Sequence, residues 1–302
     1  MKPHPFFLNL GPIGLGILYM VASMLCFSLM TAMVRMATFE LHPAYIVLLR
    51  NASSLAIMLV WVLWREREVL KSPNKRAHFH RALLGILSME IWFYSLAKVP
   101  LPEATALSFV TPLFVTIFAI FFLKEKVGPH RITALILGFV GVLVITRPGM
   151  AAISPFAFLV LISSALIAVS SILVKQLTRT ESPVTIVYYM ALFMTPLSLP
   201  LGLPHMESLN LKLAGIIAVI AITSTLAHFL LARAYTLAPV STLMPFDFSR
   251  LIFASIFAYY LFGETLDRWT FAGAAIIVAS TFYIAHRERK LRIQTPPPET
   301  QD

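Results

Sequence analysis

The sequence predicts an all-α membrane protein of ten transmembrane helices, arranged as two inverted five-helix repeats. Three observations carry this prediction. Of 302 residues, 58% are hydrophobic and 13% charged, and the mean hydropathy is +0.82, whereas soluble domains run near 45 to 50% apolar and about 25% charged. Apolar runs close to the ~20 residues that cross ~30 Å of hydrocarbon recur along the whole chain and leave no room for a soluble domain between them. The chain also aligns with itself at a shift of 139 to 140 residues. Helices rather than strands follow from the run lengths, because a backbone in lipid must satisfy its polar groups within the segment.

The spans fall at 13–34, 43–64, 80–98, 102–123 and 130–147, then at 154–175, 182–203, 211–233, 239–262 and 267–286. Each joint has a local reason. Pro100 and Pro239 start the fourth and ninth spans, where a missing N–H costs nothing, and the residue before each proline is biased away from helix. The N-terminal segment MKPHPFFLNLGPIG carries one lysine and no small-residue cleavage site, so no removable signal peptide is expected. Cys26 is the single cysteine, expected as an inert thiol inside the first span. Domain boundaries follow: a first repeat over 13–147, a second over 154–286, and a disordered cytoplasmic tail over 287–302.

A net charge of +10 invites a nucleic-acid reading, but the placement of the basic residues argues against it. With the N-terminus inside, 17 Lys and Arg lie on the inner side, Arg81 among them, and five lie outside: Arg35, Lys98, Arg147, Lys212 and Arg268. Arg50 and Arg250 fall within spans. This asymmetry is the positive-inside signal and orients both termini toward the cytoplasm.

The repeat is visible directly. PLPEATALSFVTPLFVTIFAIFFLKE, from Pro100, lies over PVSTLMPFDFSRLIFASIFAYYLFGE, from Pro239, without a gap, and VRMATFELHPAYIV, from Val34, lies over VKQLTRTESPVTIV, from Val174. Five spans per repeat is an odd number, so the second copy enters the membrane from the opposite side. Such inverted pairs are transporter architecture, with a substrate site near the bilayer midplane between the halves.

The repeat is broken by charge, since Ser108 and Thr111 correspond to Asp247 and Arg250. Counting 1.5 Å per residue sets these two roughly 12 and 16 Å deep, where an unpaired charge facing lipid costs about 2.5 to 3.5 kcal/mol. Two readings remain open: an intrahelical pair that neutralises itself, or one polar cavity shared with Glu90 of the third span and Arg50 of the second. On the cavity reading, Arg250 and Arg50 hold an anionic substrate group, Asp247 orients Arg250 or meets an ammonium, and Glu90 carries a proton.

Aromatic residues cluster nearby: Trp92, Phe93 and Tyr94, then Tyr188 and Tyr189, then Phe246 and Phe248. Packing accounts for most aromatics in such a chain; Trp92, Tyr94 and Phe246 are the candidate walls for a flat or cationic substrate. Tyr188 and His228 are secondary candidates. Glu125 and Glu264 each close a helix and are expected to be structural, favouring the N-terminus of the following span. Gly138 and Gly141 can pack within a chain or between chains, which leaves a homodimer open.

LLRN at Leu48 to Asn51, the run from Lys98 to Ala119, LGFVGVLVITRPG from Leu137 to Gly149 and FDFSRLIFASIFAYYLFGE from Phe246 to Glu264 resemble the EamA-type branch of the drug/metabolite transporter superfamily. They are most similar to its bacterial S-adenosylmethionine and riboflavin uptake subgroup. The resemblance implies secondary transport in a bacterial inner membrane with no bound cofactor. The substrate expected first is S-adenosylmethionine, then riboflavin, with amino-acid or drug-like export and lipid or polyprenyl-carrier flipping as alternatives. An enzyme is not expected, as neither HExxH nor DDxxD occurs, and without GxxxxGK[ST] this chain alone does not use ATP.

Overall fold

The computed structural model describes residues 11–65, 71–111, 113–115, 117–118, 129–147, 154–177, 180–238, 243 and 246–294. They are all-helical: α1 (Pro12–Ala37), α2 (Pro43–Arg65), α3 (Lys75–Leu96), α4 (Leu101–Ser108), α5 (Pro129–Thr146), α6 (Pro155–Leu177), α7 (Pro183–Gly202), α8 (Leu211–Leu237), α9 (Ser249–Phe262) and α10 (Arg268–Gln294).

Prolines open five of these ten described helices, α1, α2, α5, α6 and α7, consistent with their lost N–H falling where no intrahelical partner exists. Pro100 is the N-cap of α4. Side chains cap α7 and α8, where Ser182 accepts from the Thr185 N–H and Asn210 from the Leu213 N–H. Gly263 ends α9 at φ +66°, which a side chain would resist, and its N–H bonds to the Tyr259 carbonyl at 3.0 Å.

Five described helices are long and apolar enough to cross a membrane: α1, α2, α6, α7 and α8. α3 does not qualify by composition, because its first two turns carry Lys75, Arg76 and Arg81. α10 runs through Gln294, so the first part of the segment expected as a disordered tail, from 287 onward, is helix. Basic residues near a helix C-terminus complement its dipole, which favours that extension.

The packing order reveals the two-fold relation. Exchanging each helix with the one five places along turns the pair α1/α8 into α6/α3, α2/α8 into α7/α3, and α1/α9 into α6/α4, and all of these pairs pack. The pairs α2/α7, α4/α9 and α5/α10 map onto themselves and straddle the axis. Atomic contacts obey the same rule. Ser163 Oγ donates to the Ser88 carbonyl at 2.9 Å across α6/α3, and Ser23 Oγ donates to the Ala227 carbonyl at 2.7 Å across α1/α8. Ser23 and Ser163 are 140 residues apart and Ser88 and Ala227 are 139 apart, the shifts of the sequence repeat. Small residues at these crossings let the backbones approach.

Two helices approach closely at α5 and α10. A Cβ on Gly141 would meet the Gly273 carbonyl at 2.8 Å, and one on Gly273 would meet the Gly141 carbonyl at 2.6 Å. A Cβ on Gly138 would meet Leu113. Both glycines considered for a dimer seam are therefore occupied within the chain. Gly141→Val or Gly273→Val forces backbones apart, with an expected loss of about 2 to 3 kcal/mol or more. Gly215→Val, with nothing within 4 Å of its added Cβ, is the control. Equal melting temperatures for the three variants in detergent would contradict this crossing.

Candidate functional site

Arg250 stands in the first turn of α9. Its Nη2 donates to Ser108 Oγ of α4 at 2.8 Å, and its guanidinium lies over the Phe109 ring, 5.4 Å from the centroid. Ser28 Oγ of α1 donates to the Arg250 carbonyl at 3.0 Å. Ser108 is the repeat counterpart of Asp247, so Arg250 reaches across the α4/α9 axis to the position where the other repeat carries a carboxylate. No ion pair joins Asp247 and Arg250 among the described residues. Phe248 between them is a turn residue in the right-handed conformation, and Arg250 is directed to Ser108 and Phe109 instead. Asp247 lies within electrostatic reach of Tyr235 on α8.

Arg50, on α2, is 1% exposed, and its Nη1 donates to Asn51 Oδ1 at 2.7 Å. The charged group near it is Arg81, which sequence reasoning assigned to the inner loop. α3 starts at Lys75 and carries Arg81 inward to 8% exposure. There its Nη1 donates to the Ile186 carbonyl at 3.3 Å and its Nη2 faces Met190 Sδ at 3.4 Å, both on α7. His228 is close enough to feel both guanidinium groups and meets Phe27 edge-on at 5.0 Å. Arg81 was missed because a basic helix start resembles a loop in composition.

Glu90 is half-buried on α3, with Oε1 enclosed and without a hydrogen-bond partner. Trp92 packs against the main core, while Tyr94 is 40% exposed and rests near Phe156 of α6, with centroids 6.0 Å apart. Tyr188 and Tyr189 are buried on α7, and Tyr189 stacks on His78 at 4.7 Å. Phe246 packs in a separate cluster with Met20, Met24 and Ala238 of the α1/α8 pair. Among the described residues no ion pair joins Arg50, Glu90, Asp247 or Arg250 to another of the four.

Polar latches close both ends of the bundle. On the predicted outer face Arg35 pairs with Glu264 and donates from Nη1 to the Leu96 and Val99 carbonyls, each at 2.6 Å. Glu264 Oε2 accepts from the Leu101 N–H at 2.9 Å. Glu264 therefore caps α4 of the other repeat rather than the helix that follows it. Asp267, paired with Arg147, takes that second role by accepting from the Trp269 N–H at 2.9 Å. Glu125 and Pro239 lie outside the described residues.

Lys212 pairs with Glu40 at 2.8 Å, and His42 stacks on His205 at 3.6 Å, joining the α1/α2 and α7/α8 connections. The equivalent connections on the predicted inner face are joined through Glu181. Its Oε1 accepts from Ser72 Oγ at 2.5 Å and Asn74 Nδ2 at 2.9 Å and lies 3.8 Å from His78 Nε2.

Comparison with known proteins agrees with this architecture. The profile of the EamA-like transporter family matches residues 14–147 and 154–285. An S-adenosylmethionine uptake transporter of Rickettsia bellii is 27% identical over 277 residues, covering 92% of this chain and 95% of that protein. A riboflavin transporter of Vibrio cholerae is 30% identical over 280 residues, covering 91% and 94%. A pseudopaline exporter of Pseudomonas aeruginosa is 26% identical over 277 residues, covering 91% and 97%. One crystal structure, 17% identical, shares the fold with a TM-score of 0.60 over 89% of this chain and 98% of the other.

Two outcomes follow from the outer latches. Glu264→Gln leaves Arg35, 13% exposed at its side chain, without its counter-charge, and should cost about 2 to 4 kcal/mol; a double cycle with Arg35→Gln, read by thermal unfolding, should recover part of that loss. Burial, and next the neighbouring His205, hold His42 below the usual histidine range, with Glu207 opposing in part. The neutral ring then contributes stability above the ordinary value of about 6.5, and this is lost as pH falls below it. The drop in melting temperature from about pH 7.5 to 5 should be smaller in His42→Gln; identical profiles would exclude the stack as a source.

Proposed function

This chain belongs to the EamA-like transporter family, and from that premise we propose that it is a secondary carrier for a small amphoteric or aromatic metabolite in a bacterial inner membrane. Its two repeats, 13–147 and 154–286, work as the inverted halves of one alternating-access machine. S-adenosylmethionine is the first substrate and riboflavin the second, in keeping with the names of the relatives. The observation that supports this reading best is the two-fold set of helix pairs, in which the Glu181 connection on one face answers the Lys212–Glu40 connection on the other. Related latches on opposite faces are what a carrier needs in order to open one side while the other stays shut.

In this reading Asp247 meets the cationic part of the solute, Arg250 keeps its place through Ser108 and Phe109, and Trp92 supplies a flat wall. Glu90, with an enclosed oxygen that no group satisfies, carries the proton if transport is proton-coupled. A monovalent cation needs no proton to accumulate inward: 100 mV supplies about 2.3 kcal/mol, or roughly 50-fold accumulation. Export is the second reading, favoured by the likeness to the pseudopaline exporter.

Proteoliposomes containing purified protein and an imposed voltage or proton gradient test both. Saturable S-adenosylmethionine entry driven by inside-negative voltage is the expected result. Glu90→Gln should flatten the pH dependence of the rate, and Asp247→Asn should lower uptake by about tenfold or more. If the protein moves neither S-adenosylmethionine nor riboflavin in either direction, this assignment of substrate fails.

A further inference from the structure

The buried pair Arg50 and Arg81 is not explained by the packing. Both residues are more than nine-tenths buried, and the Nε of each lacks a hydrogen-bond partner, as it also does in Arg35, Arg147 and Arg250. Among the described residues neither has a carboxylate within ion-pair distance. Their existing acceptors are weak substitutes: the amide oxygen of the adjacent Asn51 for one, a carbonyl at 3.3 Å and a thioether at 3.4 Å for the other. Asn51 in turn leaves its own Nδ2 buried and unpartnered. Glu181, the carboxylate beside His78, is already engaged by Ser72 and Asn74.

Two like charges held near one another without a counter-charge repel, and arginine does not shed its proton to relieve this. Nothing in helix packing requires such an arrangement, and a pair of apolar side chains of similar volume would pack at least as well. What the arrangement suits is a planar or tetrahedral oxyanion, which takes parallel N–H donors from a guanidinium fork.

The position also fits a transported group. α2 and α3 belong to one repeat, α7 and α8 to the other, and α2/α7 straddles the two-fold axis. Met190, which Arg81 touches, is the repeat counterpart of Arg50, 140 residues on.

We propose that Arg50 and Arg81 form a receptor for the carboxylate or phosphate group of the transported solute, at the junction of α2, α3, α7 and α8. The inference rests on the carrier reading and sharpens it. The receptor selects S-adenosylmethionine or another amino-acid derivative over riboflavin, which carries no anionic group at neutral pH. His228 beside the pair gives it a third nitrogen-bearing neighbour. Arg250, held by Ser108 and Phe109, and Asp247 are left to the remainder of the solute.

The test uses the full chain in lipid nanodiscs and begins with probes that assume no substrate. Acetate and inorganic phosphate, each against chloride at equal ionic strength, should raise the melting temperature of the wild-type protein saturably and leave Arg81→Gln and Arg50→Gln unmoved. A response to phosphate alone or to acetate alone identifies the group received. The second arm compares S-adenosylmethionine with its decarboxylated analogue on the unaltered protein. The analogue should bind at least about tenfold more weakly, and Arg81→Gln should abolish that difference. Arg81→Lys, which keeps the charge but not the fork, should recover part of it and guards against misfolding of the glutamine variant.

Equal stabilisation of wild type and variants by both anions, together with equal affinity for the two adenosyl compounds, overturns the receptor. If uptake of S-adenosylmethionine persists in that case, the carrier reading stands without it. If the anions act only on the wild type but no solute is moved, the receptor stands and the carrier reading falls.

Discussion

A polar group carried into hydrocarbon finds no water there, and the rest of this structure depends on how the chain meets that constraint. The backbone answers with helices, opened by prolines and capped by Ser182, Asn210, Asp267 and Glu264. Serine hydroxyl groups answer by bonding to carbonyl oxygens of a neighbouring helix, as Ser23 does with Ala227 and Ser163 with Ser88. Those bonds form where helices cross closely, so satisfying the hydroxyl and packing the helix pair are one event. Arginine is the hardest case, and each embedded arginine here meets the constraint differently.

Arg35 has a carboxylate, two carbonyl oxygens and an aromatic face, and only its Nε lacks an acceptor. It is tied to one end of the bundle and joins α1, the α3/α4 connection and the end of α9 at one point. Arg250 has a hydroxyl and an aromatic face, neither of them charged. Arg50 and Arg81 have less still. The series runs from a cation with a carboxylate partner to two with none among the described residues, and it ends at the junction of the two repeats. A charge left in this state within a membrane protein must face water, another protein group or a bound molecule.

Inverted repetition explains why the two ends of the bundle carry related latches. One sequence segment, used twice in opposite senses, puts the α1/α2 connection of one repeat on one face and the α6/α7 connection of the other on the opposite face. Divergence since then has changed the chemistry but not the placement: an exposed Lys212–Glu40 pair and stacked histidines at one end, a carboxylate held by serine and asparagine at the other. At the α4/α9 pair the repeats differ in charge, with Ser108 and Thr111 set against Asp247 and Arg250. The symmetric bundle is thereby asymmetric in charge.

The sequence by itself determined the fold class, the number of spans, the repeat and the family, because hydropathy and a five-span period are one-dimensional properties. It also located Arg50, Glu90, Asp247 and Arg250 as charges within spans, since each interrupts an apolar run. It did not determine which of them meet. Arg81 read as a loop residue because its neighbours Lys75, Arg76 and His78 are polar, and only the docking of α3 on α7 buried it beside Arg50. For Asp247 and Arg250 the spacing left open an i,i+3 pair or a shared cavity, and no ion pair joins them among the described residues; Arg250 turns to Ser108 and Phe109. Glu264 read as a cap for its own following helix until the α4/α9 contact turned it toward Leu101. Partners of this kind are set by the packing of helices distant in sequence, and a linear pattern of residues carries no record of which side chains that packing brings within reach of each other.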